Sequence, residues 1–372
     1  MEKVLIVGVG DLGGHILEFL ARGDYPLQVF VGDVNEERAR LTCNNAVIGA
    51  AHHGKHPDFH SMKINLLDVA GTTEIIRKLQ PAAVINCSVM HTWHLIRKLP
   101  KDIYARISSA ALGAWLPCQL TLPMNLARAI KDSGVKPYFI NTALSCLTNP
   151  VLGKIGLAPT IGIGNVDLIA PAVTTYISRQ ANVPRQSIDL YLVCHHQHWV
   201  YPREAGYKPG APYWMKIVID GQDVTKRFDT DKVMYDAVKL YPPGIDFTTV
   251  SASSTIKNLY ALIFDLNTRT HSPGPNGLPG GYPVRLSAKG AEVVLPPELS
   301  LEEAIRINEK AGALDGVAEI KEDGTVVFAD YTYEIMKEML GFDCKSFTPA
   351  ESEARARELM ACYKKVTDKY LK

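Results

Sequence analysis

The chain has 372 residues, a length that favours two domains over one. Lysine and arginine total 40 against 39 aspartates and glutamates, a formal charge of +1, so no basic face for nucleic acid is expected. Charged residues at 21% and apolar residues at 47% exclude a long disordered chain, and no apolar run reaches the ~18–20 residues that cross a bilayer.

Val4 to Val7 is a short, continuously apolar run, the pattern of a parallel strand buried on both faces. A glycine-rich turn follows, then a helix over His15 to Arg22 with Ile16, Leu17, Phe19 and Leu20 at helical spacing. Leu27 to Val31 reads as a second strand, Glu36 to Leu41 as a short helix, and Ser61 to Leu66 as a third strand. Gly71 to Leu79 reads as a helix, Ala82 to Cys87 as a strand, Leu126 to Asp132 as a helix and Pro137 to Asn141 as a strand. Strands alternating with helices imply right-handed βαβ units, so residues 1–148 are expected to form a doubly wound parallel-sheet domain.

Residues 149–372 have a different texture and are expected to form an α+β substrate and oligomerisation domain. Asp167 to Gln180 and Ser251 to Leu266 read as helices and Ser187 to Val193 as a strand. Trp214 to Asp220 with Gly221 reads as a hairpin. The proline- and glycine-rich stretch 271–283 reads as a loop. Leu301 to Lys310, Tyr331 to Leu340 and Ala350 to Lys369 read as surface helices. Seven scattered cysteines, with no Cys-x-x-Cys pair, argue against a disulfide framework and for a reducing cytoplasm.

Gly8, Gly10 and Gly13 match G-x-G-x-x-G between strand and helix. The first glycine permits the tight turn, the second lets a pyrophosphate approach, and the third lets the helix pack on the strand. Asp11 and Leu12 open the helix, whose free N–H groups suit phosphate. Asp33, twenty residues past Gly13, ends the second strand, where a carboxylate accepts both ribose hydroxyls. NAD is the expected cofactor, with NADP kept open by Arg38 and Arg40. Asp68 is a second candidate for the adenine side, with a plain helix cap as the alternative.

The run from Val183 to His196 resembles the lactate/malate dehydrogenase pattern V-x-P-x-x-V-x-x-Y-V-x-G-E-H-G, and the resemblance puts the catalytic histidine on His196. Asn141 stands where that family places the asparagine of its T-N-P turn. Gly162 to Asp167 occupies the place of its G-T-x-L-D-x-x-R helix start, which makes Asp167 the aspartate that orients the histidine. Ser251 to Asp265 and Gly280 to Val284 look like its S-A-x-A-I helix and G-x-Y-G hairpin. The resemblance implies a Rossmann domain followed by an α+β substrate domain, an NAD(P)-dependent dehydrogenase or reductase, and a homodimer or homotetramer. Two departures stand out. Ala170 and Pro171 occupy the place of the arginine that clamps the substrate carboxylate, so simple 2-hydroxy acids are not expected as substrates. Gly164 stands where the NAD- and metal-dependent family 4 glycosidases, similar on the same scaffold, carry a cysteine metal ligand. Ile85 to Ser88 resembles the cofactor domain of saccharopine and opine dehydrogenases, which adds Asn86 and Ser88 to the cofactor side.

Hydride exchange with a carbonyl, hydroxyl, imine or amine needs a proton donor or acceptor beside the reacting atom, and histidine suits this near neutral pH. On an extended strand His196 and His198 share one face and His195 takes the other. The expectation is therefore His196 as acid/base, polarised by Asp167, with His195 or His198 touching substrate. No metal ion is expected, because His196 and His198 have ligand spacing but no third local ligand. Trp199 and Tyr201 are candidate walls, and Arg97 and Arg285 candidate anion contacts. Two rivals remain: a glycosidase or lyase that uses transient oxidation, and a nucleotide-binding regulator without catalysis.

Overall fold

The computed structural model describes residues 1–204, 210–242 and 247–371. It opens with β1 (Glu2–Val7), α1 (Asp11–Arg22), β2 (Leu27–Asp33), α2 (Glu36–Ala51), β3 (Asp58–Lys63), α3 (Val69–Leu79) and β4 (Ala83–Asn86). After α4 (Lys101–Ser108) and α5 (Leu116–Ser133) come β5 (Tyr138–Asn141), α6 (Ser145–Lys154) and the two-residue β6 (Ile161–Gly162). These strands form one six-stranded sheet in the order β3-β2-β1-β4-β5-β6, parallel throughout. Val4 to Val7 are all buried, as a strand covered on both faces requires. Val7 pairs with Gly32 and Asn86, Asn86 with Asn141, and Asn141 with Gly162, so the carboxyl ends of the inner strands lie in one row. That row is where an open α/β sheet leaves its binding crevice.

The second half runs α7 (Val166–Ala181), β7 (Ile188–Val193), α8 (Gln197–Glu204), β8 (Trp214–Ile219), β9 (Gln222–Asp223), α9 (Thr230–Ala237) and α10 (Thr248–Ile263). It continues through β10 (Thr268–Pro273), β11 (Gly281–Ser287), β12 (Gly290–Val293) and α11 (Leu301–Leu314). The chain closes with β13 (Val317–Ile320), β14 (Val326–Phe328), α12 (Asp330–Leu340), β15 (Ser346–Phe347) and α13 (Ser352–Tyr370). Strands β7-β8-β9, β10-β11-β12 and β13-β14-β15 make three small antiparallel sheets. The expected hairpin after Trp214 is present as β8 and β9.

Two expectations change. The stretch 271–283 is not an open loop: β10 and β11 pair across it, and Tyr282, Val284 and Leu286 alternate inward with no exposed surface. The period of two outweighs the prolines and glycines, which gather at the strand ends and the turn. The last helices are also not appendages of a separate domain. Val326, Phe328, Met336, Phe347 and Leu359 share one core with Leu5, Val7, Val84 and Leu120 of the parallel-sheet unit. The carboxyl-terminal 55 or so residues therefore complete the first domain's core, an order-of-magnitude span set by where α11 ends. A third core packs α7 and α9 against β7 and β8. No helix among the described residues is long and apolar enough to cross a membrane.

Candidate functional site

The three glycines of the fingerprint meet different surroundings. A Cβ on Gly8, at φ +102°, would press on Ser88 Oγ and the Cys87 carbonyl, and one on Gly13 would press on the Gly8 carbonyl. A Cβ on Gly10 would meet nothing within 4 Å. Gly8 and Gly13 thus hold the turn against β4, whereas Gly10 faces open space. Gly10 also caps α1 with no side-chain hydrogen bond, leaving the first N–H groups of that helix for a ligand. Ser88 Oγ donates to the Val7 carbonyl at 3.0 Å, tying β4 to the turn.

Asp33 is buried at the end of β2, where Oδ2 accepts from Val9 N at 3.0 Å and Oδ1 from Asn35 N at 2.9 Å. The Arg38 guanidinium also donates to both oxygens, at 2.7 and 2.9 Å. The carboxylate fixes the glycine turn, and the Arg38 guanidinium sits on it at the carboxyl end of β2. Asp68 is exposed and caps α3, accepting from Gly71 N at 2.9 Å, which is the plain helix-cap alternative. Asn86 is fully buried and bonds Asn141 at 3.0 Å. Asn141 in turn donates to Asn149 at 2.8 Å and Thr148 at 2.9 Å. These asparagines lock the ends of β4 and β5 to α6. The neighbours Thr142, Ala143 and Leu144, not Asn141 itself, line the cleft above.

That cleft holds ≈ 280 Å³ and joins the two halves of the molecule. Gly10, Asp11 and Leu12 line it from the glycine turn, and His196, Trp199 and Leu168 line it from the second half of the chain. Asn165, His94 and Ser251 also border it, among other residues. Arg97 and Arg285 are not among its described lining residues, and Arg285 instead donates to Asn267 at 3.3 Å on the surface. Ala170 packs into the third core, in the place of the family's clamp arginine. The side chains of Trp93 and Tyr201 lie outside the described residues.

The histidines do not continue a strand. β7 stops at Val193, Cys194 makes a single bridge to Gly281, and α8 begins at Gln197. The backbone turn puts the His195 and His196 rings side by side, with centroids 4.2 Å apart. His198 points elsewhere: its Nε2 lies 3.4 Å from the Pro212 carbonyl and its ring stands edge-on to Tyr213. Burial pushes the His198 imidazole down to about 4.

The partner of His196 is Asp315, not Asp167. Asp315 Oδ2 lies 2.9 Å from His196 Nε2, and both side chains are buried. Burial alone would disfavour a charged His196, but the Asp315 carboxylate outweighs it and lifts the imidazole to about 10. Asp315 follows α11 directly, and its carbonyl accepts from Gly113 N at 2.9 Å across the domain boundary. Asp167 is bound by Lys257 and Ser254, each at 2.5 Å, and by Asn258 and Thr270, each at 3.1 Å. It borders a separate cavity with Arg185 and Arg269. The sequence reading also missed Cys146, whose sulfur comes within 4.8 Å of ligand nitrogens on His195 and His196. Gly164, in the place of the family 4 glycosidases' cysteine, lines the cleft, and the thiol near the histidines comes from α6 instead.

No family model matches the chain, and no curated protein matches it. Solved structures do. Lactate dehydrogenase from Cryptosporidium parvum, complexed with lactic acid and nicotinamide adenine dinucleotide, is 14% identical. The match covers 84% of this chain and 98% of that one, with a TM-score of 0.55. Lactate dehydrogenase from Eimeria maxima, with NADH and oxamate, is 15% identical over 83% of this chain and 90% of that one, TM-score 0.56. Malate dehydrogenase from Aeropyrum pernix is 14% identical over 84% and 95%, TM-score 0.56. The strand order, the crossing connections and these superpositions agree: the chain has the lactate/malate dehydrogenase-like fold, a Rossmann domain joined to an α+β half.

Proposed function

We propose that the protein is an NAD(P)-dependent oxidoreductase that exchanges a hydride with a small carbonyl or hydroxyl compound, or with the matching imine or amine. The observation that carries this reading is the shared cleft: the glycine turn and His196 line one cavity. The open space over Gly10 and the uncapped start of α1 fit a pyrophosphate, and Asp33 with Arg38 stands at the ribose end. A nicotinamide held there supplies or takes the hydride.

His196 serves as the acid/base. In the reducing direction the substrate carbon gains the hydride, the C=O electron pair moves to oxygen, and that oxygen takes the proton from His196. Oxidation runs the same transfers backwards. Asp315 fixes the ring and balances the imidazolium, the role expected earlier of Asp167. Leu144, Ile163, Leu168 and Trp199 make part of the lining apolar, and no arginine or lysine is among its described lining residues, which fits an uncharged substrate better than a 2-hydroxy acid.

The test is a screen of small aldehydes, ketones and alcohols that follows NAD(P)H absorbance, with lactate and malate as comparison substrates. Turnover of an uncharged compound supports the reading, together with its loss in His196→Asn. Tight NADH binding with no turnover across the screen, and no change on mutating His196, points to the regulator instead.

A further inference from the structure

Beyond the proposed hydride chemistry, we infer that Cys146, His195 and His196 form a binding site for one divalent transition-metal ion of the zinc class. Their ligand atoms all lie within 4.8 Å of one another, and all three residues are buried. They come from two separate segments, the first turn of α6 and the turn between β7 and α8. Among the described residues, the ring nitrogens of His195 and His196 are buried with no hydrogen-bond partner, and only His196 Nε2 has a charged group beside it, Asp315 at 2.9 Å. A buried polar atom left unpaired is costly, so one free nitrogen on each imidazole calls for an occupant.

The donor set and its surroundings say what kind. Thiolate plus two imidazoles selects borderline-soft ions and rejects calcium and magnesium, which take oxygen ligands. Asp315 at His196 Nε2 is the carboxylate that metal-bound histidines use to fix ring orientation, and it leaves Nδ1 for the ion. Asn165 Nδ2 lies 3.2 Å from the Cys146 sulfur and steadies it in the same way. Zinc bonds of about 2.0–2.3 Å put tetrahedral ligands roughly 3.5 Å apart, so side-chain rotation of about 1 Å closes the set. Three protein ligands leave a fourth position, as in catalytic zinc sites, and His196 and Asn165 both border the cleft.

A proton and an ion are alternative occupants of His196. A bound ion would be held by Cys146, His195 and His196 and would supply Lewis-acid polarisation at its open position, with His196 then a ligand and not the proton donor. The metal site takes its place in the mechanism from the proposed function but stands on its own geometry.

Chelator-treated full-length protein, titrated with cobalt(II) and zinc(II), tests the site. One cobalt per chain should bind with a near-ultraviolet thiolate-to-cobalt charge-transfer band, and zinc should displace it. Cys146→Ser should abolish the band and His195→Gln should strip the stoichiometric ion. Asp315→Asn should keep the band while weakening affinity about 10–100-fold. If Cys146→Ser does not fold, His195→Gln carries the test. Absence of the band in the wild type, or its persistence in Cys146→Ser, overturns the site. NADH affinity measured on the same samples separates the readings: dinucleotide binding without metal overturns only the metal site, and metal binding without dinucleotide overturns only the oxidoreductase.

Discussion

The two walls of the cleft are built in opposite ways. The glycine wall is one β1-turn-α1 unit, held by the Asp33 side chain of β2 on Val9 N, by the Ser88 hydroxyl on the Val7 carbonyl, and by Gly13 tight against Gly8. His196 borders the cleft, and the cluster buried behind it is assembled from three distant segments, with Cys146 from α6, His195 and His196 from the turn after β7, and Asp315 from the end of α11. It keeps buried ring nitrogens without partners. The glycine turn is held by these bonds and leaves the first N–H groups of α1 for a ligand. The histidine cluster is under-satisfied, suited to groups that must change partners during a reaction.

The sharpest way to break that division is at His196. With a substrate in hand, His196→Asn should cost about 10²–10⁴-fold in turnover, the usual worth of general acid–base catalysis, while NADH affinity stays within about twofold. Loss of cofactor binding in that variant would mean the two walls are not separate in function. The substrate side gives the next test: lactate and malate at millimolar concentration should be turned over far more slowly than an uncharged carbonyl. Comparable rates would show that a cation outside the described lining supplies a clamp.

Asp167 sharpens the comparison from the other direction. Its carboxylate is occupied by Lys257, Ser254, Asn258 and Thr270, so Asp167→Asn should lower stability rather than rate. Hydrogen bonds to a charged group are worth about 1.5–3 kcal/mol, and a thermal melt reads that loss directly. A normal melt with a collapsed rate would return Asp167 to the catalytic set. Asp33→Ala should then release Arg38 and lower the preference for NAD over NADP, because the freed guanidinium suits a 2′-phosphate. An unchanged ratio of the two affinities would place the ribose end elsewhere.

The smallest effect concerns acid stability away from the cleft. His271 is buried, its Nε2 accepts from Leu192 N at 3.2 Å, and burial with the Lys257 and Arg269 charges pushes it down to about 3. Between its ordinary value near 6.5 and that value, the unfolded chain binds a proton that the folded chain refuses. Stability is therefore present in full above pH 6.5 and falls as pH drops below it. His271→Gln should lose about 2 °C less than the wild type in melting between pH 7 and pH 5.5. An equal loss in both proteins would assign the acid sensitivity to other groups.

What was legible in the sequence follows the same division. The fingerprint and Asp33 lie within β1-α1-β2, and the parallel sheet is built from consecutive strand-helix units, so periodicity and spacing carry the information. Asp68 was legible too, and its Asx cap on α3 is the simpler of its two readings. Asn141 and Asp167 sit at the right places in the chain, but buried amides and Lys257 had already claimed their oxygens and nitrogens. No local pattern shows that. Asp315-Gly316 reads as an ordinary turn after a helix, and only the packing of α11 against the first domain brings it to His196. Cys146 looks like any small residue in a helix start. The strand expected to carry the histidines ended early because Cys194 bridges Gly281 and the chain then turns into α8, which pairs His195 with His196 and sends His198 away.

The central claim, that a dinucleotide binds over Gly10 in the cleft that His196 also lines, is tested most directly by calorimetric titration of NADH into wild type and Gly10→Ala. The added methyl has open space in the protein itself, so the fold should be unaffected. It would, however, stand where the pyrophosphate must approach. The account predicts that Gly10→Ala melts like the wild type and binds NADH at least about tenfold more weakly, a change worth about 1.4 kcal/mol. A folded Gly10→Ala protein that binds NADH as tightly as the wild type would contradict it.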